Sequence, residues 1–164
     1  MKKLVSAFAT AAFLAAGASA ASAQVQVGPT LVFSDDVDFG IGATVSAQAP
    51  GIGEGIGFMG EFLVFFPDVD GSDFFEINGN VTYAFPLANS TVLPFALGGL
   101  NIARASVDAG GFGDESRTDI GLNLGGGISF DLGSFRPSVG GRFAINELNH
   151  FVIFATLPFE VGSN

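Results

Sequence analysis

The amino-acid sequence predicts an all-β chain: eight antiparallel strands closed up and down into a barrel whose apolar side faces outward. Three observations predict it. First, hydrophobicity alternates with period two over stretches of 11 residues or more, and no sustained 3.6-residue stripe accompanies it. Second, eight such stretches follow one another, joined alternately by plain turns and by acidic loops, and an even number of long strands closes without a free edge. Third, the polar faces of these stretches are sparse, Gly-rich and free of Lys, whereas a solvated sheet face carries Lys and Glu in numbers.

Composition removes several alternatives. The 164 residues suffice for one domain. Hydrophobic residues make up 48% and charged residues 13%, which is unlike an acidic disordered chain. A formal charge of -10 excludes a nucleic-acid binder. With no Cys there is no disulfide, thiolate metal site or Cys nucleophile. Aromatics are skewed to 19 Phe, with one Tyr and no Trp.

The first element is an export signal. Met1-Lys2-Lys3 is a basic start, Leu4 to Gly17 a short apolar run, and Ala21-Ser22-Ala23 a small-residue cleavage site before Gln24. Cleavage removes residues 1–23 and leaves a 24–164 domain with four Arg, sixteen acids and no Lys.

The strands are predicted at 24–34, 38–48, 56–66, 74–86, 92–106, 118–131, 135–146 and 149–160. The sixth has the clearest pattern, with Ile120, Leu122, Leu124, Gly126, Ile128 and Phe130 on one face. Asp119, Gly121, Asn123, Gly125, Gly127, Ser129 and Asp131 lie opposite. In the seventh, Phe135, Val139, Phe143 and Ile145 oppose Arg136, Ser138, Gly140 and Arg142; in the fourth, Phe75, Ile77, Val81 and Tyr83 oppose Glu76, Asn78 and Asn80. Ala49–Gly55, Pro86–Thr91 and Asp131–Ser134 make the plain turns. Ser34–Asp38, Pro67–Asp73, Val107–Asp119 and the turn near Glu147 form the acidic end.

The long charge-free apolar faces match a lipid band of about 25 Å, and the small polar faces match a lumen just wide enough for side chains to fill. The barrel is therefore read as transmembrane. Parity places Glu61, Glu76, Asp119, Asp131, Arg136 and Arg142 inside, and Arg104 is expected to join them, a bulge near Gly98-Gly99 being the alternative for the fifth strand. Buried charges must pair, so Arg–Glu bridges between strands are expected. They serve either as a structural plug that fixes register or as a gate in a narrow ion path; the tight lumen favours the plug.

Chemistry-bearing motifs are few. Asp68-Val69-Asp70-Gly71-Ser72-Asp73 begins like a calcium loop, but position twelve is Gly79 instead of a bidentate Glu. Asp68, Asp70 and Asp73 are thus weak divalent-cation candidates; the acidic rim as a whole either gathers divalent cations that bridge it to anionic lipid head groups or stays solvated and repulsive. No other cofactor is expected. His150 is the only histidine, beside a turn and without a Ser motif, and reads as a surface or interface residue. Gly51–Gly57 has no Lys, Ser or Thr to cradle phosphate and reads as a turn. No enzyme is expected.

The signal segment, Val92-Leu93-Pro94-Phe95-Ala96-Leu97-Gly98-Gly99-Leu100-Asn101 and Gly121-Leu122-Asn123-Leu124-Gly125-Gly126-Gly127-Ile128-Ser129-Phe130-Asp131-Leu132 together resemble the small eight-stranded outer-membrane β-barrels of the OmpA/OmpX-like kind. The resemblance implies the outer membrane of a Gram-negative cell, periplasmic termini and surface-exposed acidic loops. Outer-membrane lipid, lipopolysaccharide and the barrel-assembly machinery are the expected partners; the sequence does not fix the oligomeric state, for which a monomer is the expectation. Phe159 is the candidate terminal aromatic read by that machinery, although Glu160 to Asn164 follow it. Phe must replace the Trp and Tyr that normally anchor such barrels at the interfaces. No peptidoglycan-binding domain is expected after the barrel. The expected function is non-enzymatic, in envelope integrity or cell-surface interaction. A narrow ion or small-solute channel is the alternative, and a secreted lipocalin-like binder with its apolar face inside is a third reading.

Overall fold

The computed structural model describes residues 25–67, 72–88, 90–108, 114–133, 135–147 and 149–161. The export segment 1–23, Asp68 and Asp70 lie outside them. The strands are β1 (Val25–Ser34), β2 (Asp38–Gln48), β3 (Ile56–Phe65), β4 (Ser72–Ala84), β5 (Val92–Asp108), β6 (Asp114–Phe130), β7 (Ser138–Ile145), β8 (His150–Thr156) and β9 (Phe159–Val161). Each pairs antiparallel with the next through β8, and β1 pairs with β2 on one side and with β8 and β9 on the other, which closes the sheet.

β8 and β9 are one strand in two pieces. Their pairings with β1 share one register, Thr30 with Thr156 and Val27 with Phe159. The interruption falls at Leu157–Pro158, because neither Pro29, opposite Leu157 on β1, nor Pro158, opposite Arg136, has an N–H for the ladder. For the same reason β7 begins after Pro137, although Phe135 keeps an isolated bridge to Phe159. The barrel is therefore eight-stranded and wholly antiparallel.

Closure is staggered. Partners followed from Val25 through Ala47, Phe58, Val81, Gly98, Leu124 and Phe143 reach Phe151, whose carbonyl accepts from the amide of Asp35. The path returns ten residues further along β1 than it began. Such a stagger tilts the strands by roughly 40° and sets the width of the barrel.

Alternation decides what each wall presents. Leu31, Ile41, Val81, Leu100, Ile120, Leu122, Leu124, Val139, Phe143 and Ile153 are all exposed on the outside, Leu124 by 64%. Phenylalanines ring this band at both ends. Phe39 stacks near Phe66, Phe62 lies against Phe75 and Phe143 against Phe151 toward the acidic end. At the other end Tyr83 packs edge-on to Phe85 and Phe135 stacks on Phe159, their centroids 5.1 Å apart. Phe thus occupies the interfacial positions that Trp and Tyr normally take.

Inside, the lumen is packed. Val32, Phe65 and Phe74 fill it toward the acidic end, Phe95 and Phe154 toward the other, and a polar layer lies between. These inward-facing apolar residues explain how a barrel with so few polar side chains is filled.

Candidate functional site: a charge network across the lumen

Arg142 lies mid-way along β7, between Gly140 and Ala144 on the inward parity. Neither small neighbour obstructs its path across the lumen. Its guanidinium reaches β3 and β4 on the opposite wall: Nη1 donates to Glu61 Oε1 at 3.2 Å and Oε2 at 2.9 Å, and Nη2 donates to Glu76 Oε2 at 3.2 Å. All three side chains are fully buried. The guanidinium carbon also sits 5.9 Å from the centre of the Phe154 ring.

Asparagines close these charges into a ring. Asn78 Nδ2 donates to Glu76 Oε2, and Asn80 Nδ2 to Glu61 Oε2. Asn123 on β6 donates to the Oδ1 atoms of both Asn78 and Asn80, at 2.8 and 3.0 Å. The circuit runs from Glu61 through Arg142, Glu76, Asn78, Asn123 and Asn80 back to Glu61. A side branch leads from Asn78 through Asn101 to Asn146. Five strands, β3 to β7, are tied together by side chains alone, in a medium where an unpaired charge is costly.

His150 is the first correction. Instead of a surface or interface residue it is a fully buried member of this network, its Nε2 2.6 Å from Glu76 Oε1 and its ring edge-on to Phe74. The turn before it is tight, with Asn149 in a left-handed conformation at φ 43°, so β8 starts with His150 on the inward parity of Val152 and Phe154.

Arg104 is the second correction. It is exposed on the outward parity of Leu100 and Ile102, within 3.5 Å of the Ser116 hydroxyl. No bulge occurs: Gly98 faces Leu124 and Gly99 faces Asn123 in unbroken register, so β5 keeps one parity throughout; its inward face is that of the buried Phe95, Leu97 and Ala103, and Arg104 falls on the other.

The remaining candidates stand apart from the central cluster. Asp119 is half-buried at the acidic mouth and accepts from Arg117 Nε at 3.1 Å, and Arg117 also pairs with Glu147. Asp131 and Arg136 pair with each other at 3.1 Å in the turn after β6. Asp73 is exposed on β4, and among the described residues no three His, Asp or Glu side chains converge as a cation site. Phe159 is exposed on the outer wall against Phe135. The asparagines carry no motif and are marked in the sequence by spacing alone: Asn78 and Asn80 continue the face of Glu76, and Asn123 and Asn101 sit on the inward parity of their own strands.

No family model and no curated protein matches the chain. Solved structures do. Neisserial surface protein A aligns with a TM-score of 0.63 at 19% identity, covering 85% of this chain and 97% of that one. The N-terminal β-barrel domain of Pseudomonas aeruginosa OprF aligns at 0.64 and 11% identity, over 85% and 100%. The attachment invasion locus protein Ail of Yersinia pestis aligns at 0.60 and 16%, over 84% and 95%. Closed eight-stranded topology, an apolar exterior and a polar, side-chain-filled lumen agree with these likenesses: the chain has the fold of the small eight-stranded outer-membrane β-barrels.

Proposed function

We propose that this protein is an integral outer-membrane barrel without catalytic activity, and that it acts in envelope integrity or in contacts at the cell surface. Residues 1–23 direct its export. The acidic turns face the cell exterior, and the ends of β1 and β9 face the periplasm. Outer-membrane lipid and lipopolysaccharide surround the apolar band, and Phe159 is the aromatic that the assembly machinery reads.

The observation that carries the closed-lumen part of the reading is Arg142. A fully buried guanidinium bonded to Glu61 and Glu76 on the opposite wall occupies the cross-section that a solute would need. The exterior supports residence in a membrane. From Phe75 to Phe85 the outward face of β4 and its extension runs ten residues, at about 3.3 Å each and a tilt of roughly 40°, or about 25 Å along the normal. That is the height of the apolar band in outer-membrane barrels. The continuous line of asparagines favours a second reading, a narrow polar path for ions.

Two measurements on the detergent-extracted envelope fraction decide. The unboiled protein is expected to migrate differently from the boiled one on a gel and to give no steady conductance in planar bilayers. Steady conductance with cation preference would refute the plug and support the ion path. Release by urea with no mobility shift would refute the membrane barrel and favour the soluble binder.

A further inference from the structure

We infer that the barrel wall has a built-in lateral weak point at the periplasmic end of β7, β8–β9 and β1. Three prolines meet there on adjacent strands. In an antiparallel ladder a hydrogen-bonded pair exchanges two bonds, and a proline can contribute only its carbonyl. Leu157 N–H donates to the Pro29 carbonyl at 3.0 Å, Arg136 N–H to that of Pro158 at 3.4 Å, and Phe130 N–H to that of Pro137 at 2.9 Å. The reciprocal bond is absent from each pair because no proline N–H exists. Three neighbouring seams, β1 with β8, β8 with β7 and β7 with β6, thus each lose one rung at one level of the wall, and the carbonyls of Leu157, Arg136 and Phe130 lose their ladder donors.

This is a gap within the ladder and not a frayed end. Beyond it β9 pairs again with β1 at three positions, and Phe135 bridges to Phe159. The rest of the wall at this end lacks such a cluster. Pro94, which accepts from Phe85 N–H at 2.8 Å, is a single case, and β5 with β6 beside it is paired over 17 positions. The charge network lies above the gap and clamps β7 and β8 to β3 and β4, so the wall can part at the periplasmic end while the lumen stays closed. Behind the seam are Phe154 and Phe95, ring centroids 6.4 Å apart, with the Arg142 guanidinium over Phe154. The parted wall therefore bares an apolar surface that ends at the charges. It opens before the remainder of the barrel because its rungs are fewest and the interface supplies water to the orphaned carbonyls.

Amide hydrogen exchange of the folded protein in detergent micelles tests this. The amides of Val25, Val27, Arg136, Leu157 and Phe159 are expected to exchange well ahead of those of Thr30 to Ser34 and Val152 to Thr156. They should also exchange ahead of those at the same end of β2 and β3. Pro29→Ala, an exposed outward position, returns one rung and is expected to slow exchange at Leu157 and Phe159 about tenfold, the weight of one net hydrogen bond. Pro158→Ala does the same for the seam with β7. Uniformly slow exchange around the periplasmic end would overturn the proposal. Fast exchange at the seam that neither substitution slows would overturn its proline origin.

Discussion

Replacing Arg142 by alanine removes three hydrogen bonds onto two carboxylates, at 3.2, 2.9 and 3.2 Å, and leaves both carboxylates inside the lumen. The two are not equally stranded. Glu76 retains His150 at 2.6 Å and the amide of Asn78, whereas Glu61 keeps, among the described residues, only the Asn80 amide at 3.4 Å. An uncompensated buried carboxylate is the dominant loss, and breaking such a pair costs about 3–5 kcal/mol. With a urea dependence of about 2 kcal/mol per molar, the unfolding midpoint falls by roughly 2 M. The assay is a urea titration of the barrel in detergent micelles, with the folded fraction read from the fast-migrating unboiled band. A companion variant isolates the cause. Arg142→Met with Glu61→Gln removes the cation and the stranded charge while keeping volume, and is expected to recover most of the loss, since apolar replacement of a buried ion pair is often neutral. A midpoint shift below about 0.5 M for Arg142→Ala, less than roughly 1 kcal/mol, would refute the reasoning. So would a double variant as unstable as the single one.

Three further outcomes follow from the walls and turns. Leu124→Arg places a charge on the outward face mid-way along β6 and is expected to cost roughly 2–4 kcal/mol in lipid vesicles; unchanged stability there would remove Leu124 from the mid-bilayer face. Arg104→Ala touches an exposed outward side chain that, among the described residues, bonds the Ser116 hydroxyl at 3.5 Å, so its stability should stay within about 0.5 kcal/mol of the parent by the same titration; a loss as large as that of Arg142→Ala would return Arg104 to the lumen. Gly133 holds φ +86° in the turn after β6, and Gly133→Val is expected to destabilise by about 1–2 kcal/mol, measured by the same titration. An unaffected midpoint would mean that the turn readily adopts another conformation.

By itself the sequence determined the strands and which face of each points outward. Leu122, Leu124 and Phe143 against Asn123, Gly125 and Arg142 is a period-two pattern, and it is local: side chains at i and i+2 share a face wherever the strand lies. The same parity sent Glu61, Glu76 and Arg142 inward. It could not say that these three would meet. Their contact is made across the barrel, between strands far apart in sequence, and depends on the stagger at closure, which no single strand encodes. Two residues show where local reading ends. For Arg104, the fifth strand kept one register past Gly98-Gly99, and only the continuous pairing on both sides establishes that no bulge reversed its face. For His150, its place one residue after a left-handed Asn149 set the parity of the last strand, and burial followed from Glu76 standing opposite on another strand. Direction is written into each strand by the pleat; partnership is decided only when the sheet closes, because closure alone fixes which inward side chains share a level.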